Sequence, residues 1–550
     1  MRILIDLQSC QNASHGRGIG RYALSMARAL VRNGGAGHEF RILLNDRFPD
    51  RVAAVRQAFD GLLPEQDIVV LSGLDHVASA ISENLWRTRA GEVAFAAALE
   101  EFEPDVFFTP SLFEGFWDDV VTSVEPGSYL RTATVHDLIP LEDPEFYLAG
   151  DLNKRAYSFK LTAMRRCDYL FSVSEYTKSQ VISRLGIDEG KIVTLTLGVE
   201  GDFRPGVVSE ERERELRERY GLVGRFIINT SPYEARKNIP GLIAGFACVS
   251  PQVRRGVQLV IAGKINAHDQ GDIFNRVRSE GLKRDDVVLL GYVPDADLID
   301  LYRLCEAMVF PPFSEGFGLP PLEAMACGAA VIASNATSVP EVIGRPDALF
   351  DPGNPGEMGA LIQKVLEDEA FRADLRAFGP KQAATFSWDR SAQTMLRTFE
   401  AGLKSAPSRM APPPALAKPI RRLAVATVSG PVASRESGVV EGYLRLLSED
   451  YDVVVFPLQG ELSPTLTDFF VMRSGEEFVV SAGEYDRVLY ILDSSQVDVA
   501  TPYMAARPGA LLLYEALQNE AVPKAVTRNQ VRALFAERGY EAVSTELRAL

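Results

Sequence analysis

The alternation of short apolar runs with helical patterns constrains the fold of this chain more than any other feature of its sequence. In the first 200 residues, apolar runs alternate with stretches in which apolar residues recur every three or four positions. The predicted strands are residues 2–7, 40–45, 67–72, 105–110, 132–138, 168–174 and 191–197, and predicted helices include 18–32, 78–101 and 151–166. This alternation is typical of a parallel sheet with both faces covered. The sequence therefore predicts a doubly wound α/β domain.

A second series of the same kind follows a charged helical stretch at 209–220. The Glu–Arg pairs of that stretch, spaced i,i+4, are typical of a helix surrounded by solvent. Further predicted strands lie at 225–231, 257–263, 286–293, 306–313 and 329–334, and a helix at 387–403 closes the series. We predict an N-terminal Rossmann-like domain at 1–200, to which helix 387–404 returns, and a C-terminal Rossmann-like domain at 201–386.

The rest of the chain is predicted to hold a linker and a third unit. Residues 405–419 are rich in Pro and Ala, as flexible connections are. An apolar strand at 421–430 then opens a unit at 420–550, which has the pattern of the front of an α/β domain without its back half.

Composition narrows the classes of function. A chain of 550 residues is too long for one hydrophobic core. Its net charge of −16 argues against a nucleic-acid partner, because a basic surface is the usual requirement. The cysteines lack the spacing of a zinc site or a disulfide framework, and no apolar stretch has the length of a signal or membrane-spanning segment. We expect a cytoplasmic protein that contacts at most the inner face of the cytoplasmic membrane.

The stretch FPPFSEGFGLPPLEAMACGAAVIAS, residues 310–334, carries the clearest chemical pattern. It predicts a strand, a glycine-bearing loop, a helix at 320–327 and a return strand. A helix N-terminus at the carboxyl end of a parallel strand offers free N–H groups and suits a diphosphate. Glu315 leads this turn and Glu323 lies one turn into the helix, so both carboxylates can face one crevice.

The pattern E-x7-E within S-E-G-F-G-L-P-x-L-E-A-M-A-C-G closely resembles the signature of the retaining GT-B glycosyltransferases of family four. The resemblance covers about residues 1–404. It implies a nucleotide sugar in the cleft between the two domains, mostly on the second, with Glu315 on the hydroxyls of the donor sugar and Glu323 on the ribose. The loop residues that the motif implies for donor binding are Gly316, Phe317, Gly318 and Leu319.

Two further stretches resemble donor-binding segments of that family. SPYEARKNIPGLI, residues 231–243, is similar to its basic diphosphate clamp, which implies that Arg236 and Lys237 contact phosphate oxygens; on spacing alone, a solvated loop pair is the alternative. VVLLGYVPDADL, residues 287–298, resembles the base pocket, with the backbone of Gly291, Tyr292 and Val293 at the base edge. We interpret Asp295 in this stretch as a helix cap and not as a metal ligand, and predict no required metal or other cofactor.

In the first domain, His136 and Asp137 end a predicted strand. They match the His-Asp pair that the family places over the reacting face of the donor sugar, although a lone histidine at a strand end is often structural. In the retaining members, the leaving group departs and the acceptor attacks on the same face, and a diphosphate oxygen takes the acceptor proton. The resemblance therefore implies that His136 orients the donor and stabilises the transition state, and does not act as an ordinary general base.

The stretch GRGIGRY, residues 16–22, has a second interpretation. Gly18, Gly20 and Ala23 satisfy G-x-G-x-x-A, which would indicate an NAD(P)-linked oxidoreductase. Residues 8–17 separate the motif from its strand, however, and no acidic residue ends the next strand to hold a ribose. We predict that Gly18 and Gly20 let the backbone approach donor or acceptor from the first domain, with Arg21 as a cation beside the cleft; a glycine-rich turn that starts a buried helix is the alternative.

The stretch at residues 4–30 resembles the N-terminus of bacterial mannosyl- and rhamnosyltransferases of O-antigen and capsule synthesis. This favours GDP-mannose as donor, then dTDP-rhamnose, then UDP-sugars, with a glycan acceptor that is lipid-linked. The predicted helix 151–167 carries Lys154, Arg155, Lys160, Arg165 and Arg166. It is either a solvated face or a docking surface for an anionic, lipid-linked acceptor at the membrane.

The unit at 420–550 resembles the front of a second glycosyltransferase of the same family. Where such domains show a His-Asp pair, this chain has Tyr514 and Glu515. We expect either one part of a longer tandem enzyme or a vestigial acceptor-binding or packing module. A catalytically inactive sugar-binding scaffold is the remaining alternative for the first two domains.

Overall fold

A computed structural model describes residues 1–81, 84–122, 124, 127, 129–405, 422–428, 444, 447–448, 451–459, 470–481, 484–485, 487–493, 496–506 and 509–514. These residues form three sheets, and every pairing between neighbouring strands is parallel. None of the described helices is long and apolar enough to cross a lipid bilayer.

The first sheet has seven strands in the order β3-β2-β1-β4-β5-β6-β7. The strands are β1 Arg2–Asp6, β2 Glu39–Asn45, β3 Ile68–Leu71, β4 Val106–Thr109, β5 Leu130–Val135, β6 Tyr169–Ser172 and β7 Ile192–Thr194. The helices are α1 Gly18–Gly34, α2 Pro49–Ala58, α3 Leu85–Glu101, α4 Ile139–Glu142, α5 Pro144–Tyr147, α6 Asp151–Arg165 and α7 Glu175–Leu185. The prediction of a doubly wound α/β fold is confirmed, with β1 and β4 flanking the point where the strand order reverses.

Helix α3 begins later than its periodicity predicts. The pattern indicates a helix from residue 78, but the backbone N–H groups of Ser79 and Ala80 donate to the carbonyls of Gly115 and Phe116, each at 2.9 Å. These bonds to a distant loop take the donors that a helix would use, so the helix starts at Leu85.

The second sheet has six strands in the order β10-β9-β8-β11-β12-β13. The strands are β8 Arg225–Thr230, β9 Val257–Ala262, β10 Val287–Gly291, β11 Ala307–Phe310, β12 Val331–Ser334 and β13 Leu349–Phe350. The helices are α8 Glu210–Tyr220, α9 Ile239–Cys248, α10 Pro251–Arg254, α11 Ala267–Ser279, α12 Asp295–Leu304, α13 Leu319–Ala326, α14 Val339–Ile343, α15 Pro355–Glu367, α16 Glu369–Ala383 and α17 Trp388–Ser405. Strand β13 escapes prediction because two residues are too few for a periodic signal.

Helix α17 packs on the first domain although it follows the second along the chain. Arg32 of α1 forms an ion pair with Asp389 at 2.6 Å. The ring of Phe399 lies 5.8 Å from that of Phe171 in β6 and 6.4 Å from that of Phe108 in β4. The apolar cores of the two domains are thus continuous through this helix.

Helix α8 is less solvated than its charge pattern predicts. The Glu213–Arg217 pair forms at 2.7 Å, as the i,i+4 spacing indicates. On the other face, however, Leu216 is fully buried, and Arg212 and Arg219 both form ion pairs with Asp297 of α12, at 2.5 and 2.7 Å. The interpretation as a solvated helix therefore holds for the outer face only.

The described part of the third unit contains the strands β14 Arg422–Val428, β15 Asp452–Gln459, β16 Val471–Met472, β17 Arg487–Asp493 and β18 Ala510–Tyr514, with helices α18 Gly475–Ser481 and α19 Val497–Ala506. Their order is β16-β15-β14-β17-β18, so the third, second, first, fourth and fifth strands are neighbours as they are in the first sheet. Tyr514 is the last residue of the fifth strand of this sheet. Val135 is the last residue of the fifth strand of the first sheet, and His136 follows it. Glu515 and the predicted linker after Ser405 lie outside the described residues.

Candidate active site

The loop between β11 and α13 meets the first domain at the carboxyl ends of its strands. A Cβ atom on Gly316 would overlap the backbone carbonyl oxygen of His136, so only glycine allows this approach. The hydroxyl of Ser174 donates to the carbonyl of Gly316 at 2.7 Å. The two domains therefore touch at the motif that the sequence singles out, and a cleft lies between them.

Glu315 is the central carboxylate on the second domain's side of this cleft. It is buried, and it forms ion pairs with Lys237 and with Arg236, the latter at 3.0 Å. Its backbone N–H donates to the hydroxyl of Thr337 at 3.0 Å, which fixes the chain at this point. Burial by itself raises the pKa of the Glu315 carboxyl, but Lys237 and Arg236 outweigh it, so the pKa lies below its usual range and the group is a carboxylate.

Arg236 and Lys237 lie on a short turn between β8 and α9. Asn238 ends the turn with a left-handed backbone (φ 56°), and its side chain donates to the carbonyls of Pro311 and Pro352, at 3.1 and 2.8 Å. These bonds tie the turn to the loop after β11, which carries Glu315. The alternative of a solvated loop pair does not hold, because Lys237 is buried and both cations face Glu315.

Glu323 lies one turn into α13 and is also buried. Its carboxylate accepts a hydrogen bond from Arg21 of the first domain at 2.5 Å, and the same guanidinium contacts Asp295 at 2.7 Å. Burial raises the pKa of Glu323 to about 6, against the opposing effect of Arg21. Asp295 is not the helix cap that the sequence suggests: Pro294 precedes α12, and the Asp295 carboxylate serves the ion pair across the cleft.

His136 follows β5 directly, and its Nε2 lies 2.9 Å from the carbonyl oxygen of Pro110. A carbonyl only accepts, so Nε2 carries the proton and Nδ1 is an acceptor. Burial lowers the pKa of this imidazole to about 4, so it is neutral at physiological pH. The ring of Tyr22 packs edge-on against it at 4.8 Å. Asp137, the next residue, accepts from the backbone N–H of Ile139 at 3.1 Å, and burial raises its pKa.

The remaining predicted residues of the second domain lie at the end of β10 and in the loop between β11 and α13. Gly291 ends β10 with a left-handed backbone (φ 69°), and Tyr292 is 72% exposed beside the buried Val293. Phe317 is buried against Phe386, with ring centroids 5.7 Å apart.

Three predicted glycines lie at the starts of the helices α13 and α1. Gly318 precedes α13 with φ 121°, a conformation that favours glycine, and Leu319 is the first residue of that helix. A Cβ on Gly18 would lie 3.8 Å from Leu319, so Gly18 faces the helix across the cleft. Gly20 lies in the first turn of α1, where a Cβ would overlap the backbone of Ser14. The turn before α1 can therefore pack this closely only against glycine.

Sequence reasoning missed the acidic residues that fasten the two domains together. Glu341 of α14 accepts from the backbone N–H groups of Glu175 and Tyr176 at the N-terminus of α7, at 2.9 and 2.8 Å. Glu142 accepts from Ser314 at 2.8 Å and from the Tyr176 hydroxyl at 2.7 Å. No local pattern marks these residues, because their partners are distant in sequence and only the tertiary structure brings them together.

The site has the chemistry of anion and polyol binding. Two cations and an N-terminal helix end suit a diphosphate, while the two carboxylates of the motif suit hydroxyl groups. Among the residues that the structure describes, no group of three His, Cys, Asp or Glu side chains has the arrangement of a metal site.

Comparison with known families assigns both halves of this cleft. Residues 16–203 match the family described as "Glycosyltransferase Family 4", and residues 214–382 match "Glycosyl transferases group 1". The two matches correspond to the sides of the cleft that carry His136 and Glu315.

Curated relatives include mannosyltransferases. The chain is 37% identical over 410 residues to "Serotype-specific mannosyltransferase WbdA" of Escherichia coli, a match that covers 74% of this chain and 48% of that protein. It is 30% identical over 275 residues to "O-antigen chain mannosyltransferase B" of Escherichia coli, covering 48% of this chain and 69% of the relative. The chain thus spans about half the length of the first of these relatives.

Solved structures share the fold at low sequence identity. The Anabaena protein Alr3699/HepE, in complex with UDP-glucose, has a TM-score of 0.55 and 16% identity over 73% of this chain and 100% of that one. "WaaG, a glycosyltransferase involved in lipopolysaccharide biosynthesis" has a TM-score of 0.52 and 13% identity over 72% of this chain and 99% of that one. The oxidoreductase interpretation of Gly18 to Ala23 is wrong, because these residues lie within the match to the glycosyltransferase family 4. With two Rossmann-like domains facing across a cleft, the chain belongs to the family 4 glycosyltransferases of the GT-B fold.

Proposed function

We propose that this chain is a retaining hexosyltransferase that moves mannose from GDP-mannose to a bacterial surface glycan such as O-antigen or capsule. The observation that carries the proposal is the meeting of Glu315, Arg236 and Lys237 with His136 across one cleft. The names of the two Escherichia coli relatives support mannose as the sugar and a surface glycan as the acceptor.

In this proposal the diphosphate lies at the N-terminus of α13, next to Arg236 and Lys237. Their charges neutralise the departing nucleoside diphosphate, so the reaction needs no metal ion. The same cations keep Glu315 ionised, which lets its carboxylate accept hydrogen bonds from hydroxyls of the donor sugar. Glu323 accepts hydrogen bonds from the ribose hydroxyls.

Transfer with retention places the acceptor on the same face as the leaving group. The bond between C1 of mannose and the diphosphate oxygen breaks, the acceptor oxygen bonds to C1, and its proton passes to the diphosphate. His136 orients the donor: Nε2 is fixed on Pro110, so Nδ1 is free to accept from a sugar hydroxyl. An imidazole with a pKa of about 4 is a weak base, which favours orientation and electrostatic stabilisation over proton removal.

The decisive experiment measures transfer and binding separately. Purified protein is incubated with GDP-mannose, dTDP-rhamnose or UDP-glucose and a fluorescent mannoside, and the product linkage is assigned by NMR. We expect an α-mannoside from GDP-mannose, with a thermal shift from GDP that NAD does not give.

Two variants separate an enzyme from an inactive scaffold. Glu315→Ala and His136→Ala should lose turnover by about a hundredfold or more while GDP still shifts the melting temperature, since the phosphate clamp is intact. Unchanged turnover in both variants would refute the assignment of these residues. If only dTDP-rhamnose gives product, the donor is dTDP-rhamnose and not GDP-mannose.

We also propose that the acceptor is lipid-linked and that α6 contacts the membrane that carries it. Lys154, Arg155, Arg165 and Arg166 are exposed on or just after this helix. Lys160, the fifth predicted cation, is instead buried and donates to the Thr122 carbonyl at 2.9 Å.

Aromatic side chains accompany these cations. Phe159 of α6 is 52% exposed, with the Arg155 guanidinium 5.5 Å from its ring centroid, and Trp117 in a loop that packs beside α6 is 68% exposed. Cations together with exposed aromatic rings suit the interface of an anionic bilayer.

Vesicle co-sedimentation tests the membrane contact. Binding to vesicles with phosphatidylglycerol should exceed binding to phosphatidylcholine and fall with salt. Arg155→Gln with Phe159→Ala should abolish it, whereas Arg255→Gln with Arg278→Gln, which removes exposed charge from the second domain, should not. An equal loss of vesicle binding in both double variants would indicate that net charge causes binding, and it would refute the proposal that α6 is a specific membrane-contacting face.

A further inference from the structure

Arg21 connects the two domains through a single side chain. It lies in the first turn of α1, within the GRGIGRY stretch. Its Nη1 donates to Oε1 of Glu323 at 2.5 Å, and its Nη2 donates to both oxygens of Asp295, at 2.7 and 3.0 Å. The guanidinium also lies 5.7 Å from the ring centroid of Phe203, in the connection between the domains. One side chain of the first domain thus contacts two helices of the second.

Glu323 depends on this contact for its charge. Of the neighbours with the largest effect on its pKa, Arg21 is a cation that lowers it, whereas Asp295 and Glu200 are acids that raise it. The Tyr302 hydroxyl and the Cys327 thiol also lie within the range of its charge. A carboxylate at a buried position beside two further acids needs its cation, because burial and like charges both favour protonation.

The geometry leaves part of the Glu323 carboxylate for a ligand. Arg21 engages Oε1, and no hydrogen bond from a described residue reaches Oε2. Oε2 can therefore accept from a hydroxyl that enters the cleft. The partner of Glu323 comes from the opposite domain, so the arrangement exists only while the domains are closed on each other.

We propose that Arg21 is a positioning residue for nucleotide binding, which acts through Glu323 and holds its carboxylate ionised and oriented in the closed cleft. This inference rests on the proposed function, in which Glu323 accepts from ribose hydroxyls. Arg21 itself lies on the ribose side of the site, and it influences the nucleotide without contacting its phosphates. The nucleotide is thereby coupled to domain closure, because the ribose acceptor is completed from the first domain.

A purely structural bridge is the competing explanation, and pH separates the two. Binding of GDP is measured by calorimetry between pH 5.5 and 8.0 for the wild type and for Arg21→Gln, Arg21→Lys, Asp295→Asn and Glu323→Gln. In the wild type, affinity should decline as the pH falls through about 6, where Glu323 takes up a proton.

The Arg21→Gln variant should bind GDP about tenfold more weakly at pH 7.5. Because removal of the cation raises the pKa of Glu323 further, the decline in affinity should begin at higher pH than in the wild type. Arg21→Lys keeps the charge and should restore the wild-type pH dependence. Asp295→Asn is the control of opposite sign: it removes a like charge that raises the pKa of Glu323, so the acid decline should move to lower pH and not to higher pH.

The double variant Arg21→Gln/Glu323→Gln decides the mechanism. If Arg21 acts through Glu323, the double variant binds GDP as weakly as Glu323→Gln alone, and neither has the acid decline. Additive losses, or an Arg21→Gln loss that is equal at every pH, would overturn the inference. Failure of the wild type to bind GDP, UDP or dTDP at all would instead overturn the proposed function, and the inference with it. Melting temperatures by circular dichroism verify that each variant folds.

Discussion

His136 and Glu315 approach the cleft from different domains, and His136 is neutral whereas Glu315 is ionised. Desolvation without a counter-charge keeps His136 neutral, whereas Lys237 and Arg236 keep the buried Glu315 ionised. The difference comes from neighbours that are far away in the chain, because residues 78 positions apart form the Glu315–Lys237 pair. A neutral acceptor and a charged acceptor therefore face the same space.

The neutral state of His136 leads to a prediction for its titration. The imidazole should remain unprotonated from pH 8 down to about 4, because burial lowers its pKa, and its proton should reside on Nε2. Nitrogen-15 NMR of histidine-labelled protein measures both the charge and the tautomer, with the urea-denatured protein as control. A titration of this ring near its ordinary pKa would contradict the proposed geometry.

At the scale of elements, the loop between β11 and α13 depends on contacts that tolerate no added atoms. Gly316 packs against the His136 carbonyl, and its own carbonyl accepts from Ser174, so this loop is held by the first domain as well as by the second. The glycines in the motif are thus explained by a close approach between domains, in addition to any approach by a ligand.

Gly316→Ala should therefore separate the two sides of the cleft. The new Cβ would overlap the backbone of His136, and backbone atoms cannot rotate away as a flexible side chain can. We expect kcat/KM for transfer to fall by about a hundredfold, since displacements near 1 Å at an active site have effects of this size. Gly271→Ala in α11 is the matched control, because nothing lies within 4 Å of its Cβ position. Equal activities of the two variants would contradict the close approach.

Helix α8 depends on Asp297 in a comparable way for its place in the second domain. Arg212, Arg219 and Tyr220 all donate to the buried Asp297 carboxylate, the last at 2.6 Å. Asp297→Asn removes the charge that these donors share and should lower stability by about 2 kcal/mol, a value discounted for the exposed part of Arg219. The melting temperature measures the loss. Glu215→Gln, which alters an exposed partner of Arg212, should have little effect.

In the molecule as a whole, the strand order of the doubly wound fold occurs in three sheets. Each described sheet places its third, second, first, fourth and fifth strands in that order, in the first domain, the second domain and the third unit. Crossover handedness and the burial of both sheet faces leave few alternatives for strands that alternate with helices. The first two units join through α17 and through polar contacts around the cleft, where the nucleotide and the acceptor are proposed to meet.

Independence from metal ions is a prediction about the whole reaction. Arg236, Lys237 and the N-terminus of α13 are proposed to supply the positive charge for the leaving diphosphate. Transfer should therefore be unchanged within error after treatment with EDTA and gel filtration, and added Mg²⁺ or Mn²⁺ should not increase it. A loss of activity that Mn²⁺ restores would contradict this prediction.

The sequence alone determined the two α/β domains and their parallel sheets, and it singled out Glu315, Glu323, Arg236, Lys237 and His136 as candidates for one site. These features are local, because consecutive residues are enough to show the periodicity of a strand or helix, a helix terminus or a motif. Their boundaries are less certain where tertiary bonds compete, as at Ser79 and Ala80, whose backbone N–H groups donate to the loop at 115–116.

Only the tertiary structure decided which charges meet. The bridge from Arg21 to Glu323 and Asp295, the contact of Glu341 with α7, and the burial of Lys160 all depend on residues that the fold brings from far apart. Ion pairs of this kind leave no periodic trace in the sequence, because their energies depend on distance and burial in space, and neither quantity is a property of a short segment. The motif thus identified the two carboxylates, Glu315 and Glu323, and the packing of the domains determined the pKa of each.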